Sequence, residues 1–221
     1  MGVGLIYLLG TTSHPGVKHL GVIRVRFLPL SFSCDSFDAV IFTSKNAIAA
    51  LEASKISWHH LPVYAIGEGT KRAAKATGAR VIHVAKEAYG DAFAKEIAPH
   101  LRAKNILFPR AKEVVSDVAG VLKSAGVYVW EMVAYETVCV PCQSLEPPAE
   151  LSVFIFTSPS SVCCFLNCFE WKPSWQAVSI GIKTANAFPE TIFSHIAPSQ
   201  TVEACVSLAQ ELYVDLSKNP L

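Results

Sequence analysis

Hydroxyl side chains recur at the same place in two copies of one short motif. The residues Ile-Phe-Thr-Ser occur at 41–44 and again at 155–158, each time between an apolar run and a helix-like stretch. At the same separation along the chain, Ile-Gly followed by a threonine three residues after the glycine occurs at 66–70 and at 180–184. Two motifs held in one register indicate an internal duplication.

The serines and threonines of these motifs could bind an anion. Ligands of parallel sheets bind outside the carboxyl ends of the strands, where helices begin and free backbone N–H groups point outward. Ser44, Ser158, Thr70 and Thr184 all fall at such ends. Taken singly, each is better explained as a helix N-cap. The repeated set, with Gly67 and Gly181 allowing close approach of the backbone, favours a ligand cradle.

Tyr135 and Arg110 are further candidates, and both have a structural alternative. Tyr135 lies late in a long predicted strand. Its phenol could be buried in a core with its hydrogen bond made to the protein, or it could donate a hydrogen bond to a reacting group. Arg110 follows an apolar strand and could bind a carboxylate of the ligand, or it could only pair with charged groups on the protein surface.

The chain lacks the motifs of several common enzyme classes. The segment Gly67-Glu68-Gly69 resembles the start of a dinucleotide fingerprint, but Arg72 occupies the place of the third glycine. There is no P-loop and no GxSxG motif, and the histidines show no metal spacing. These patterns leave chemistry on a bound anion, without a cofactor and without a metal.

The seven cysteines are expected to be free thiols. The count is odd and no export signal precedes them, which argues against a disulfide framework. Cys139 and Cys142 have the spacing of a metal knuckle or a redox pair. Cys163, Cys164 and Cys168, however, fall in an apolar helical stretch, which favours buried small hydrophobic side chains.

Composition predicts a globular, cytoplasmic protein. Hydrophobic residues make up 51% of the chain and charged residues 17%, with a net charge of +1, which argues against a dedicated nucleic-acid binder. No apolar run approaches the roughly 20 residues that cross a bilayer, and the start lacks a secretory signal. We therefore expect neither nucleic acid nor membrane as a partner.

Short β-rich runs alternate with amphipathic stretches along the whole chain, which is typical of a parallel, helix-covered sheet. Strands are predicted at 3–9, 21–28, 39–43, 62–67, 79–85, 105–109, 126–138, 152–157, 176–181 and 191–197. Helices are predicted at 45–54, 69–78, 90–101, 111–126, 160–169, 182–191 and 201–213. The segment after the first strand offers only a helical stub, and Pro189 should cut the sixth helix short.

The duplication predicts two α/β lobes, with the second inserted into the first. Residues 1–30 and 137–221 form lobe 1, residues 33–134 form lobe 2, and 31–32 and 135–136 are connecting strands. The alternative, a split into halves near residue 110, would leave an unpaired βαβ unit at each end.

Five segments follow one another along the chain: DAVIFTSKNAIAAL, VYAIGEGTKRAAKATG, NILFPRAKEVVSDVAGVLKSAGVYVWEMVAYETV, VFIFTSPSSV and AVSIGIKTANAF. Their residues, order and spacing resemble the uroporphyrinogen-III synthase family over nearly the whole chain. The resemblance implies two flavodoxin-like lobes with parallel sheets, joined by a two-stranded connection. It also implies a cofactor-free enzyme of tetrapyrrole and heme biosynthesis. Such an enzyme removes the hydroxyl of hydroxymethylbilane, inverts the last ring through a spirocyclic intermediate and closes the macrocycle.

The resemblance also implies roles for individual residues. Tyr135 matches the tyrosine proposed to assist departure of the hydroxyl. The substrate-binding set it implies is Ser44, Lys45, Gly67, Thr70, Arg110, Ser158, Ser160, Gly181 and Thr184. The chain departs from the family after its first strand, where an arginine often found there is missing, and at Pro189.

The partner implied is a linear tetrapyrrole with several carboxylates. The protein is expected to be a cytoplasmic monomer, in transient contact at most with the preceding enzyme of the pathway. The alternative reading of the residues is a two-lobed protein that binds an anionic small molecule without catalysis.

Overall fold

Strands and helices alternate throughout the computed structural model, which describes residues 5–86, 89–114 and 116–218. The strands are β1 (Leu5–Leu9), β2 (Lys18–His19), β3 (Ile23–Phe27), β4 (Ala39–Phe42), β5 (Val63–Ala65), β6 (Val81–Val84), β7 (Asn105–Ala111), β8 (Tyr128–Cys139), β9 (Ser152–Phe156), β10 (Trp175–Ser179) and β11 (Ser194–Ile196). The helices are α1 (Lys45–Ala53), α2 (Glu68–Ala76), α3 (Gly90–Leu101), α4 (Val118–Ser124), α5 (Pro159–Leu166), α6 (Ile182–Ala185) and α7 (Val202–Lys218), and a 3-10 turn covers Cys142–Ser144.

The chain forms two compact units. Unit 1 consists of Met1–Arg24 and Thr137–Leu221, and unit 2 consists of Val25–Glu136. The chain therefore passes between the units twice, once within β3 and once within β8.

Unit 1 is built on a parallel sheet in the order β11-β10-β9-β1-β2. Alternate residues of β9 point to opposite faces, as the period of a strand requires. Phe154 and Phe156 pack against α5 on one face, and Val153 and Ile155 pack with α7 on the other. Both faces are therefore covered, which explains why β9 is apolar at nearly every position.

Unit 2 contains a sheet in the order β3-β8-β7-β4-β5-β6. Each pair of neighbours from β8 to β6 in this order is parallel. One face holds a core around Phe42, Leu51 and Trp58 beneath α1 and α2. The other face packs Ile41 against α3 and α4. Each unit thus buries its own pair of cores.

The duplicated motifs lie on equivalent strands. The order β6-β5-β4-β7-β8 in unit 2 parallels β11-β10-β9-β1-β2 in unit 1, with β4 and β9 each preceding an Ile-Phe-Thr-Ser helix start. The equivalents of β7 and β8 are β1 and β2, which precede β9 in the chain. The two sheets therefore share one order of strands, with a circular shift in where the chain begins.

The predicted α/β class with parallel sheets is confirmed, and each predicted strand overlaps an observed one. Val3 and Gly4, in the first predicted strand, lie outside the described residues. The short strand β2 was not predicted. The helix predicted at 111–126 begins only at Val118, because β7 continues to Ala111 and the Asp117 side chain caps the helix at the Gly120 N–H.

The prediction that all cysteines are free thiols is wrong for four of them. Disulfides join Cys139 to Cys164 and Cys142 to Cys168. Cys34, Cys163 and Cys205 are free. In the sequence, the pair Cys139 and Cys142 and the later cluster at 163–168 look like separate features. In the structure, the end of β8 and the 3-10 turn lie alongside α5, which brings the two groups of cysteines together.

Two further properties bear on function. In the described part of the chain, no helix has the length and apolar character needed to span a bilayer. Among residues 5–86, 89–114 and 116–218, no three His, Cys, Asp or Glu side chains gather in an arrangement that could hold a metal ion.

Candidate active site

The centre of each sheet has a point where the path of the chain reverses. In unit 2, the chain runs outward from β4 to β5 and β6, then returns to β7 on the other side of β4. The carboxyl ends of β4 and β7 therefore open a crevice, which is where open α/β sheets bind ligands. Ser44 follows β4, Arg110 lies near the end of β7, and Tyr135 lies on β8 beside it.

Tyr135 is buried, with 7% of its surface exposed, and belongs to the core beneath α1. Its carbonyl accepts a hydrogen bond of 2.8 Å from the Lys112 N–H, which fixes the backbone next to the end of β7. Its phenol is hydrogen-bonded to the Ser44 side chain. Burial raises the pKa of the Tyr135 phenol above its ordinary value, and the bond with Ser44 lowers the pKa in part.

Ser44 connects this phenol to a helix terminus. It is the N-cap of α1, and its Oγ accepts a hydrogen bond of 3.1 Å from the Asn46 N–H. A hydroxyl has one hydrogen and two lone pairs, so Ser44 can accept from the Asn46 N–H and still hydrogen-bond the Tyr135 phenol. Donation from Ser44 to the ionised phenol would stabilise the charged form, which fits the lowering of the Tyr135 pKa. The N-cap role and the contact with the phenol therefore coexist in one side chain.

Two basic residues near this crevice differ in their surroundings. Lys45 is exposed at the first position of α1. Arg110 is held by the protein itself, because its Nε lies 2.8 Å from a Glu131 oxygen and its guanidinium donates to the Ala111 carbonyl at 2.8 Å. Lys123 binds the other Glu131 oxygen, and the hydrogen bonds from Lys123 and Arg110 lower the pKa of Glu131.

The Ile-Gly-x-x-Thr motifs take the same local form in both units. Gly67 and Gly181 are the N-caps of α2 and α6, with extended backbones at φ −177° and −176°. Thr70 and Thr184 are both buried. Neither cap has a side chain of its own, but the Gln200 side chain lies over Gly181, with its Nε2 3.3 Å from where a Cβ would be. The helix α6 has only four residues and ends before Pro189.

In unit 1, the corresponding reversal lies between β9 and β1. Ser158 caps α5 in a capping box, with hydrogen bonds of 3.2 and 3.3 Å exchanged with Ser161. Ser160 is half-buried in the first turn. The Thr157 hydroxyl donates to the Leu9 carbonyl at 3.0 Å, which ties the ends of the two strands together.

Comparisons with known proteins agree with this architecture. A family model for uroporphyrinogen-III synthase HemD matches residues 22–207. The crystal structure of uroporphyrinogen-III synthetase from Helicobacter pylori 26695 matches with 30% sequence identity and a TM-score of 0.82, over 95% of this chain and 100% of that chain.

The chain belongs to the uroporphyrinogen-III synthase family.

The predicted family is thereby confirmed, and with it the prediction that the protein is an enzyme rather than a binding module. A mutant uroporphyrinogen III synthase from the extremely thermophilic bacterium Thermus thermophilus also matches, at 13% identity and a TM-score of 0.56, over 98% of this chain and 100% of that chain. That likeness shows a shared fold. No curated protein matches the chain in sequence.

Every residue predicted for the synthase site lies within the matched range 22–207. Those of unit 2 are Tyr135, Ser44, Lys45, Gly67, Thr70 and Arg110, and those of unit 1 are Ser158, Ser160, Gly181 and Thr184. The structure brings Ser44 and Tyr135 into contact, whereas it gives Arg110 partners inside the protein. The roles of these residues toward a substrate remain predictions.

Gly10 is a position of the synthase fold that the sequence reasoning missed. A Cβ at Gly10 would lie 2.8 Å from the Thr157 Oγ1, so a side chain there would displace the hydroxyl that donates to the Leu9 carbonyl. A glycine directly after a buried strand was the available signal. The Ser44–Tyr135 contact was also missed, because nothing local in the sequence links residues so far apart.

Proposed function

We propose that this protein cyclises hydroxymethylbilane to uroporphyrinogen III, with inversion of the last ring and loss of water. The observation that carries the proposal is the family match over residues 22–207, supported by 30% identity to the Helicobacter pylori synthetase across nearly the whole chain. The residue roles below are supported by the contacts within each unit.

Tyr135 acts as the proton donor to the departing hydroxyl. Its raised pKa keeps the phenol neutral at physiological pH, so a proton is available for the oxygen that leaves as water. The carbocation that remains is attacked by the substituted α-carbon of the last ring, which gives a spirocyclic intermediate. The bond from that carbon to the neighbouring methylene then breaks, the released methylene cation bonds to the free α-carbon of the same ring, and the proton there is lost as the pyrrole regains its aromatic form. That proton balances the one that the phenol gave, so no cofactor is needed in this sequence of steps.

Ser44 holds the Tyr135 oxygen in place and stabilises charge that develops on it. A hydroxyl that donates to this oxygen makes the phenol a better acid without leaving it ionised at rest. Because Ser44 is itself anchored at the start of α1, the partial positive charge of the helix N-terminus supports the same effect.

The carboxylates of the substrate bind at helix N-termini. The backbone N–H groups at the starts of α1 and α2 suit anions, whereas α5 begins with Pro159, which has no N–H, and its Ser161 N–H is bonded to Ser158. Ser160, Thr70, Thr184 and the exposed Lys45 add hydrogen-bond donors or charge. Gly67 and Gly181 allow a carboxylate to approach the backbone. Arg110 is the weakest member of the set, because Glu131 and two backbone carbonyls already occupy its guanidinium.

The proposal extends to the organisation of the enzyme. It includes two flavodoxin-like lobes, 1–30 with 137–221 and 33–134, joined at 31–32 and 135–136, in a cytoplasmic monomer with at most transient contact to the preceding enzyme. The division of the chain after Glu136 supports the second boundary, whereas the first division, after Arg24, places residues 25–32 with unit 2. Light scattering during gel filtration tests the monomer.

The decisive experiment incubates the pure protein with freshly generated hydroxymethylbilane and separates the uroporphyrin isomers after oxidation. The type III isomer is expected. If only the type I isomer forms, as it does spontaneously, the proposal fails.

Tyr135→Phe tests the role of the phenol. A positioned acid contributes a factor of about 100 or more, so kcat should fall by about that factor with little change in KM. Tyr128→Phe is the matched control, because Tyr128 lies on the same strand but is 66% exposed. Undiminished type III formation by Tyr135→Phe would remove the role of the phenol while leaving the function intact.

A further inference from the structure

Two disulfides lie side by side in unit 1. Cys139, the last residue of β8, is joined to Cys164 in α5, and Cys142 in the 3-10 turn is joined to Cys168 just beyond α5. The two partners on the helical side are Cys164, within α5, and Cys168, two residues after its end. The segment from Cys139 to Ser144 is therefore fastened at two points, once to α5 and once to the residues that directly follow it.

Each bridge has one accessible end. Cys139 and Cys142 are exposed, whereas Cys164 has 4% of its surface exposed and Cys168 is half-buried. The β8 side of each bridge is therefore the side nearer to solvent, from which a thiolate would approach for exchange. Disulfides of proteins in a reducing cytoplasm are typically transient or redox-sensing.

We propose that these two bridges form a site of reversible thiol–disulfide exchange that fastens or releases the segment 139–144. The reductant is a dithiol. Its first thiolate attacks the exposed sulfur and expels the buried cysteine as a thiolate, which takes up a proton. Its second thiol then attacks the mixed disulfide, so the reductant becomes a disulfide and the protein gains two thiols per bridge. Oxidised glutathione re-forms each bridge and is itself reduced to two glutathione thiols.

The helix remains packed when the bridges open. Val162 and Phe165 on α5 are fully buried against Phe154 and Phe156 in the core of unit 1. Cys164 also belongs to this apolar core, so its thiol stays in place after reduction. Reduction therefore frees the exposed segment and loosens α5 without unfolding the unit.

The helix that the bridges fasten carries part of the proposed substrate site. Ser158 caps α5 and Ser160 lies in its first turn. An eight-residue helix takes most of its stability from packing, so α5 keeps its core contacts on reduction while its C-terminal end loses two tethers. The effect of the switch on catalysis rests on the proposed function, whereas the exchange chemistry itself does not.

The test uses the full chain, equilibrated with either reduced dithiothreitol or oxidised glutathione, then denatured and alkylated for mass spectrometry. The oxidised protein should carry three alkylated cysteines, Cys34, Cys163 and Cys205, and the reduced protein all seven. Peptide mapping should recover the pairs 139–164 and 142–168. Hydrogen exchange at the amides of α5 should be at least about tenfold faster in the reduced protein.

Two variants sharpen the result. The double variant Cys142→Ser with Cys168→Ser keeps five cysteines and one bridge, so three cysteines should be alkylated in the oxidised protein and five in the reduced protein. Cys163→Ser, at an exposed free cysteine next to the bridge, should leave both bridges and the exchange rates of α5 unchanged.

The proposal is overturned if seven cysteines are alkylated after oxidation, if other pairs form, or if dithiothreitol fails to reopen the bridges. It is also overturned if the reduced protein holds one zinc ion per chain on the four thiolates and resists oxidation. None of these readouts uses the synthase reaction, so they fail or succeed independently of the proposed function.

Discussion

The Tyr135 phenol combines an apolar environment with one hydrogen-bonding partner. Burial in the core beneath α1 disfavours the charged form, and Ser44 offsets part of that effect. Of the two influences burial is the larger, so the phenol remains protonated well above neutral pH. A proton donor built this way needs no second ionisable group.

Variants at Ser44 separate its roles as cap and as donor. Ser44→Thr keeps both, Ser44→Asp keeps a capping acceptor but cannot donate when ionised, and Ser44→Ala loses both. We expect kcat to fall by about tenfold for Ala, the effect of losing one hydrogen bond of about 1.4 kcal/mol at the reacting group. The Asp variant should lose at least as much while retaining its stability.

The pKa of Tyr135, followed by the ultraviolet absorbance of tyrosinate, should rise in Ser44→Asp and stay near the wild-type value in Ser44→Thr. The matched control is Ser158→Ala, which removes a helix cap in unit 1 and should not alter this titration. Equal kcat values for the Asp and Thr variants would show that Ser44 serves only as a cap.

The pH dependence of the rate follows from the same phenol. The neutral form is the active one, and its pKa is raised, so the enzyme-dependent rate should persist to about pH 10, the ordinary value for tyrosine, and decline only above it. Tyr135→Phe should lack this decline in its residual rate. A decline centred below about pH 9 in the wild type would contradict the assignment.

At the scale of the helices, serines that cap a helix can be distinguished from serines that bind the substrate. Ser158→Ala removes the capping box and should cost about 1 kcal/mol of unfolding free energy. Ser160→Ala should change stability by less than about 0.5 kcal/mol. If Ser160 binds a carboxylate, its variant raises KM with kcat preserved, since the lost contact exists in both the ground and transition states.

Urea unfolding and steady-state kinetics of the two variants provide the measurement. Ser199→Ala, at an exposed serine outside the helices of unit 1, serves as the control for both readouts. An unchanged KM for Ser160→Ala would leave this serine with no role in binding.

The elements predicted from sequence were those whose signal is local. Apolar β-rich runs located β4 and β9, and serine before an amphipathic stretch located the starts of α1 and α5. The start of α4 was misplaced because the helical pattern from Ala111 could not show that β7 pairs with β8 up to that residue.

Contacts between distant parts of the chain were beyond local patterns. The pairing of Arg110 with Glu131 depends on β7 and β8 being neighbours in the sheet. The two disulfides depend on the 3-10 turn lying beside α5, and the apolar character of α5 pointed instead to thiols in a core. The site was therefore predicted residue by residue, while its internal partners were not.

At the scale of the whole molecule, the two units differ in how the chain builds them. Unit 2 is continuous from Val25 to Glu136, whereas unit 1 needs both ends of the chain. Unit 2 also contains two cores of its own, one on each face of its sheet. A unit with continuous sequence and a covered sheet meets the requirements for folding alone.

We therefore expect the fragment Val25–Glu136 to fold without the remainder of the chain. It should show a cooperative thermal transition by circular dichroism and retain the Ser44–Tyr135 contact, seen as a tyrosine that titrates above its ordinary range. It should form no type III isomer, because Ser158, Ser160 and Thr184 belong to unit 1. The full chain measured in parallel is the control. A fragment without a cooperative transition would show that unit 2 depends on unit 1 for its stability, and a fragment that makes type III isomer would show that the residues of unit 1 are dispensable for the reaction.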